Sequence, residues 1–236
     1  MKVKVIKMKT KSFFVTILFS VSFLFTSLLY AGDLEDRVEN SIAVLNEIMK
    51  IPEKGIPTDL FDRCSAIAIF PHVVKGGFIF GGRFGRGVIS VHDKKTGKWS
   101  PPAFFTLGGG SYGFQVGVQA IDLVLLIMTK RGLEGLLKSK VTLGGDLGVA
   151  AGPVGRRTEA GIDILLKAEI FSYSRAKGIF AGISLEGATI FQDKDANRAF
   201  YGKELSAQEI LLEGKAKPPL IAQTLINTLI KYSSRK

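Results

Sequence analysis

The chain predicts an α+β fold: a curved antiparallel β-sheet, either a sandwich or a partial barrel, with an amphipathic helix before it and helices after it. Three observations lead there. Apolar residues recur at helical spacing from Asp33 to Lys50 and again from Leu220 to Tyr232, at the two ends of the pattern. Between Ser65 and Gln192 the chain is rich in Val, Ile, Phe and Gly, in short runs broken by turn residues. The 27 glycines of the 236 residues cluster in those strand-like runs, where they ease curvature, and follow no linker or collagen period.

Taken in order, the first element is an export segment. Lys2, Lys4, Lys7, Lys9 and Lys11 precede an apolar run from Phe13 to Leu29, and Tyr30-Ala31-Gly32 offers cleavage after Ala31. That is the order of a secretory signal peptide. Leu29 is large for its place before such a site, and the run is long enough to sit at the short edge of a membrane span, so an uncleaved N-terminal anchor is the alternative. No cysteine marks a lipoprotein site. Either way the rest of the chain is expected outside the cytoplasm, periplasmic or envelope-associated. The division is residues 1–31 as signal peptide and 32–236 as one domain, large enough to bury a core.

Leu34, Val38, Ile42, Leu45, Ile48 and Met49 mark the first helix, with Asp33, Glu35 and Asp36 in the turn where the helix dipole favours acids. Pro52, Gly55 and Pro57 end it. It reads as a core-packing helix or as one that lies on a membrane or gates a pocket, and its acidic face argues against holding anionic lipid by charge. Ser65 to Phe70 is an apolar strand ended at Pro71. Gly77 to Val91 is one strand or two, and Asp93 to Lys98 is a hairpin-like turn. Trp99 to Leu107 and Phe114 to Met128 are further strands, Gly132 to Ser139 a turn or two of helix, and Ile164 to Ser172 and Gly178 to Phe191 the clearest later strands. Ser206-Ala207-Gln208-Glu209 is a capping box, and Pro218-Pro219 opens the last helix.

The composition and motifs exclude more than they assert. Cys64 is the single cysteine, so no intrachain disulfide forms, and it reads as a small buried hydrophobe. Gly108 to Gly113 satisfies GxGxxG, but a dinucleotide site needs a helix next, and the following residues are β-branched and glycine-broken. Gly109 to Gly113 satisfies GxSxG around Ser111. A nucleophile elbow also needs a helix and a later histidine, whereas His72 and His92 both precede Ser111. No catalytic residue is therefore assigned. The histidines and the cysteine show no ligand spacing, and Asp193 to Asn197 lacks the glycine and glutamate of a calcium loop and reads as a polar turn, so no metal or cofactor is expected. Nucleic acid is a poor partner for a chain with no recognisable binding motif.

The formal charge is +11, and removing the five lysines of the N-terminal segment leaves about +6, which suits an anionic partner such as a membrane surface. Basic residues fall beside glycine-rich strands: Lys75, Arg83 and Arg86; Lys130 and Arg131; Arg156 and Arg157; Arg175 and Lys177. Each contributes ~1 kcal/mol near an anionic bilayer, so four or five on one face would hold the domain there and scattered ones would not. Asp122 and Asp146 lie in apolar or glycine-rich surroundings and need partners. The expectation is that one of them pairs with Arg156 or Arg175, structurally or to shape a polar pocket. Gly109 to Gly117 and Gly144 to Gly152 share GGxxGxxxG, a spacing that on a strand exposes flat backbone to another strand, an aromatic ring or a ligand chain, or simply allows curvature.

Five segments resemble the SYLF domain in that family's order: IFPHVVKGGFIFGG (69–82), VQAIDLVLLIM (118–128), LGGDLGVAAGPVGR (143–156), FSYSRAKGIFAGISLEG (171–187) and ANRAFYG (196–202). The resemblance spans roughly Leu34 to Tyr232. It implies a lipid-binding module, actin-binding in eukaryotic members, rather than an enzyme, and it places Arg175 and Lys177 in the signature. Given an export segment, actin and phosphoinositides are not expected here, and anionic phospholipids such as phosphatidylglycerol or cardiolipin are the natural substitute. Two other classes stay open: an envelope interaction protein using the flat glycine strands to hold a protein partner, and a hydrolase using Ser111.

Overall fold

The computed structural model describes residues 33–51, 55–77, 80–112, 117–153, 168–176, 179–182 and 185–233. The export segment, Arg156, Arg157 and Lys177 lie outside the described residues. Residues Arg37–Lys236 form one compact unit and Met1–Asp36 another, of which only the start of a helix is described. That helix, α1, runs over 33–49 and buries Val38, Leu45 and Ile48 as its spacing predicts, with Ser41 and Val44 buried as well and Ile42 and Met49 only half-buried.

The strands are β1 (Ala66–Gly77), β2 (Phe80–Asp93), β3 (Lys98–Trp99), β4 (Ala103–Tyr112), β5 (Gly117–Ile127), β6 (Lys140–Thr142), β7 (Val149–Ala151), β8 (Ile170–Ala176), β9 (Ile179–Gly182) and β10 (Thr189–Gln192). The helices after α1 are α2 (Thr58–Arg63), α3 (Lys130–Leu136), α4 (Lys194–Tyr201), α5 (Ala207–Leu211) and α6 (Leu220–Ser233). Among the described residues the ten strands make one curled sheet in the order β6-β10-β4-β2-β1-β5-β8-β7, with β3 on β2 and β9 on β8. Every pairing is antiparallel except β7 with β8.

Alternation along the strands gives the sheet two apolar faces. On the inner face Phe70, Val73, Ile89, Phe105, Leu107, Leu123 and Leu125 form one cluster with Leu136 of α3 and Ile210 and Leu211 of α5. On the outer face Ile67, Ile69, Val88, Phe104, Val124, Leu126, Phe171 and Tyr173 are buried. Helix α1 crosses this outer face, with Arg37 5.3 Å over the Phe104 ring of β4 and Glu47 against Arg175 of β8. The helices tie to one another and to β3: Tyr232 donates to Asn46 at 2.7 Å, and the Trp99 indole donates to Ser233 at 3.1 Å.

Four local readings change. Pro71 does not end β1. The strand continues through a bulge, with register shifts on both sides and His72 at φ 51°, so the proline, which has no N–H, sits outside the ladder. Asp193 to Asn197 is not a polar turn: Asp193 accepts from the Ala196 N–H at 3.1 Å and caps α4. Trp99 to Leu107 divides into β3 and β4 at Pro101-Pro102, and α2 appears between prolines and Cys64 where the pattern predicts no helix. Cys64 is buried, and burial pushes its thiol up to about 12. Glycine is required at two close approaches. A side chain at Gly87 would run into the Ile69 carbonyl and Phe70, and one at Gly152 into the Tyr173 ring.

Candidate functional site

The end of β1, the start of β2, the end of β4 and the start of β5 lie at the same edge of the sheet. Gly77 of β1 faces Gly81 of β2, which faces Ser111 of β4, and Gly77 also faces Gly117 of β5. One row inward, Gly110, Gly82, Gly76 and Val118 stand side by side across the four strands. Two consecutive rows are therefore almost bare backbone. Beyond them on the outer face comes the row Gly108, Phe84, Val74 and Ala120.

This end of the outer face is uncovered. Val118 is 80% exposed, Phe84 51% and Val74 45%. Phe191 of β10 adds a partly exposed ring beside Gly108. The cause is length: β1 and β2 run 12 and 14 residues, roughly 40–45 Å of strand, and a helix of about 10 Å diameter lying across them leaves their far ends in solvent. Arg86, exposed, rims the patch with its guanidinium 5.8 Å from the Phe84 ring centre.

An ion-pair network marks where α1 stops. Asp122 and Arg175 are direct cross-strand partners on β5 and β8. The Arg175 guanidinium contacts Asp122 at 2.5 Å and also meets Glu47 of α1. The other Asp122 oxygen accepts from the His72 N–H in the β1 bulge at 3.1 Å. Arg175, a sequence-predicted binding residue, thus faces two carboxylates and joins α1 to the sheet. The Asp146 carboxylate accepts from the Thr142 N–H at 2.7 Å and closes its own turn, Arg175 pairs with Asp122 and Glu47 instead, and the pairing named for Arg156 lies outside the described residues. Asp146 also lines a cavity of about 230 Å³ with Arg131, Glu134, Lys138 and Lys140, a lining of both charge signs.

On the inner face of the open end stand Lys75 and Arg83, direct partners on β1 and β2 and both half-buried. Of the basic residues named from the sequence, Lys75, Arg83, Arg86 and Arg175 lie toward the hairpin end, on both faces, while Arg156, Arg157 and Lys177 fall outside the described residues. Phe84, Val74 and Val118 were not singled out by sequence reasoning. The signal that could have found them is large apolar residues interleaved with glycines at even spacing, as in Phe80 to Arg86. The glycine echo is not a structural repeat: Gly109 and Gly110 lie in β4, whereas Gly144 has φ 83° in a turn and Gly152 follows β7.

Ser111 belongs to β4, and the next described element is the strand β5 rather than a helix. Its partner on β2 is Gly81, while His92 lies eleven residues further along that strand, roughly 35 Å away. His92 stacks on Trp99 at 4.4 Å, and burial lowers its pKa. His72 is exposed at the β1 bulge, five residues from the row of Ser111. Neither histidine reaches the serine. Among the described residues no group of three or more His, Cys, Asp or Glu could hold a metal ion, and no helix is long and apolar enough to cross a membrane.

A curled α+β sheet with helices over one half of its outer face and a bare, apolar, basic-rimmed end defines a binding module. The profile described as Ysc84, Las17-binding protein actin regulator, matches residues 108–232. The chain is 33% identical over 210 residues to SH3 domain-containing YSC84-like protein 1 of Homo sapiens, covering 86% of this chain and 60% of that protein. It is 38% identical over 180 residues to LAS seventeen-binding protein 3 of Saccharomyces cerevisiae, covering 75% of this chain and 39% of that protein. The chain belongs to the Ysc84, or SYLF-domain, family. It spans about three fifths of the human relative's length and two fifths of the yeast one's.

Proposed function

We propose that this protein is a non-enzymatic module that holds anionic phospholipid membranes in the cell envelope by the hairpin end of its sheet. The observation that carries the reading is the coincidence of exposed Phe84, Val74 and Val118 with Arg86, Lys75 and Arg83 at one end of the strands. Apolar side chains that enter the headgroup boundary gain about 25 cal/mol per Å² of surface removed from water. Each cation near the anionic surface adds ~1 kcal/mol. Bare glycine rows let the sheet end approach lipid without side chains holding it off. The acids of this region do not repel the surface freely, because Asp122 and Glu47 are already in contact with Arg175.

The lysine-rich, then apolar, N-terminal segment supports export, and phosphatidylglycerol or cardiolipin are the anionic lipids such a compartment offers. A second reading rests on the relatives' names, which describe binding to a protein, Las17, and regulation of actin. On that reading the same flat end would take a protein partner.

Co-sedimentation of residues 32–236 with neutral and with phosphatidylglycerol-containing vesicles, at low and high salt, tests the proposal, together with extraction of any co-purified lipid. Binding confined to anionic vesicles and weakened by salt is the expected result. Failure to sediment with either vesicle, and no lipid in the extract, would overturn it in favour of the protein partner.

A further inference from the structure

We infer that Lys75 and Arg83 form a seat for a phosphate group on the inner face of the sheet's open end, opposite the apolar patch. The two are direct partners in the β1–β2 register, and the row continues to Gly109 on β4 and Gln119 on β5. Directly opposed side chains in an antiparallel pair stand about 5 Å apart at Cβ, and like charges placed so are destabilising. Arg37, Arg131, Arg175 and Arg198 each have a carboxylate partner. Among the described residues no carboxylate pairs with Lys75 or Arg83, and the row they occupy contains no acid.

The surroundings raise the cost of leaving this pair unmatched. Val73, two residues before Lys75, belongs to the inner core, and the place where Gly85 would carry a Cβ is 2.6 Å from the Val73 side chain, so the sheet is closed tightly just below Arg83. Gly109, across from Arg83, lies under the backbone of Gly187 and Ala188, where an added Cβ would stand 2.9 Å from the Gly187 oxygen. Arg83 is thus half-buried between β1 and the chain leading into β10. Its Nε is enclosed and has no acceptor. Burial lowers its pKa, as expected of a cation that has lost water and gained no anion.

A phosphate ester meets these needs. Its two non-bridging oxygens match the Arg fork, and one of them, or the third oxygen of a monoester, takes the Lys ammonium as a point charge. Gln119 can donate an amide N–H at the rim. The ligand class is a phosphate monoester or diester, from a phospholipid headgroup or from a soluble phosphate compound. The first source rests on the membrane reading above, and the second does not.

The test is a thermal melt in inorganic phosphate against chloride of equal ionic strength, run alongside binding to phosphatidylglycerol vesicles. Arg83→Gln and Lys75→Gln are compared with Arg86→Gln, which lies on the opposite face. The expected result is a wild-type melting point raised by roughly 2–4 °C in phosphate. Arg83→Gln and Lys75→Gln should melt at or above wild type in chloride, because the like-charge contact is gone, and should gain nothing from phosphate. Arg86→Gln should keep the wild-type gain. Vesicle binding about fivefold weaker in both inner-face variants assigns the seat to lipid. A phosphate response lost in those variants, with no vesicle binding by the wild type, keeps the seat for a soluble phosphate and removes the membrane reading. An unchanged wild-type melt in phosphate, or an equal gain in all variants, overturns the seat, and continued vesicle binding in that case leaves the membrane reading standing.

Discussion

Strand β4 begins and ends in opposite surroundings. At Phe104 its backbone is met on both sides: the N–H donates to the Asn197 side-chain oxygen at 2.7 Å, and the carbonyl accepts from the Asp193 N–H at 2.9 Å. Asn197 is fully buried, Arg37 lies over the Phe104 ring while holding Asp193 at 3.1 Å, and Tyr201 donates to the Pro102 carbonyl at 2.5 Å. Six residues on, Gly110 has open space where a side chain would be. Around it stand exposed apolar residues and the two unmatched cations on β1 and β2. One end of the strand commits its polar groups to the fold. The other leaves surface and charge uncommitted, and that is where a partner gains most by binding.

The comparison can be broken first at the anchored end. Asp193→Ala removes both the α4 cap and the carboxylate facing Arg37, whose side chain is only 6% exposed. A loss of about 2–5 kcal/mol is expected in denaturant unfolding, because a helix cap and a charge-assisted hydrogen bond to a buried arginine go together. Asn197→Ala strands the Phe104 N–H and should cost about 1–3 kcal/mol by the same measurement. At the boundary, Asp122→Ala takes away the acceptor of both Arg175 and the His72 N–H. Its melting point should fall by several degrees, and by more than that of Asp146→Ala, whose carboxylate serves one backbone N–H in an exposed turn.

At the open end the expectation reverses. Phe84→Ser and Arg86→Ala should change unfolding free energy by no more than about 0.5 kcal/mol, as surface substitutions do, while weakening vesicle binding. The smallest effect belongs to a solvent-facing cap away from both regions. Glu209 is held down to about 2 by the Ser206 N–H, and also by Lys215 and the Ser206 hydroxyl. Its folded pKa lies below the usual 4.5, so its contribution is present above about pH 4.5 and lost as pH falls toward 2. Glu209→Gln should lower neutral stability slightly, leave stability near pH 2 unchanged, and so flatten the acid limb of a stability–pH curve.

Much of the anchored architecture was legible because it is local. The period of α1 and α6 and the Ser206–Glu209 box can be read within a few residues. The need of Asp122 for a cation follows from its apolar neighbours. Which cation met it was not legible, since Asp122 and Arg175 are 53 residues apart and only the β5–β8 register brings them together. The same non-locality hid the site. Lys75 and Arg83 look like two members of a basic cluster until the hairpin places them side by side, and Phe84 looks like core until the reach of α1 across the sheet is known. The Asp193 helix was missed because a carboxylate-rich DxDxN segment carries the same residues whether it turns or caps. Pro71 was misread because a bulge can carry a proline through a strand.

The most direct test of the open-end account is vesicle binding by the double variant Phe84→Ser, Arg86→Ala at wild-type melting temperature. The account predicts affinity for phosphatidylglycerol vesicles at least about tenfold below wild type, the equivalent of roughly 1.4 kcal/mol. Binding equal to wild type, with the fold intact, would contradict it.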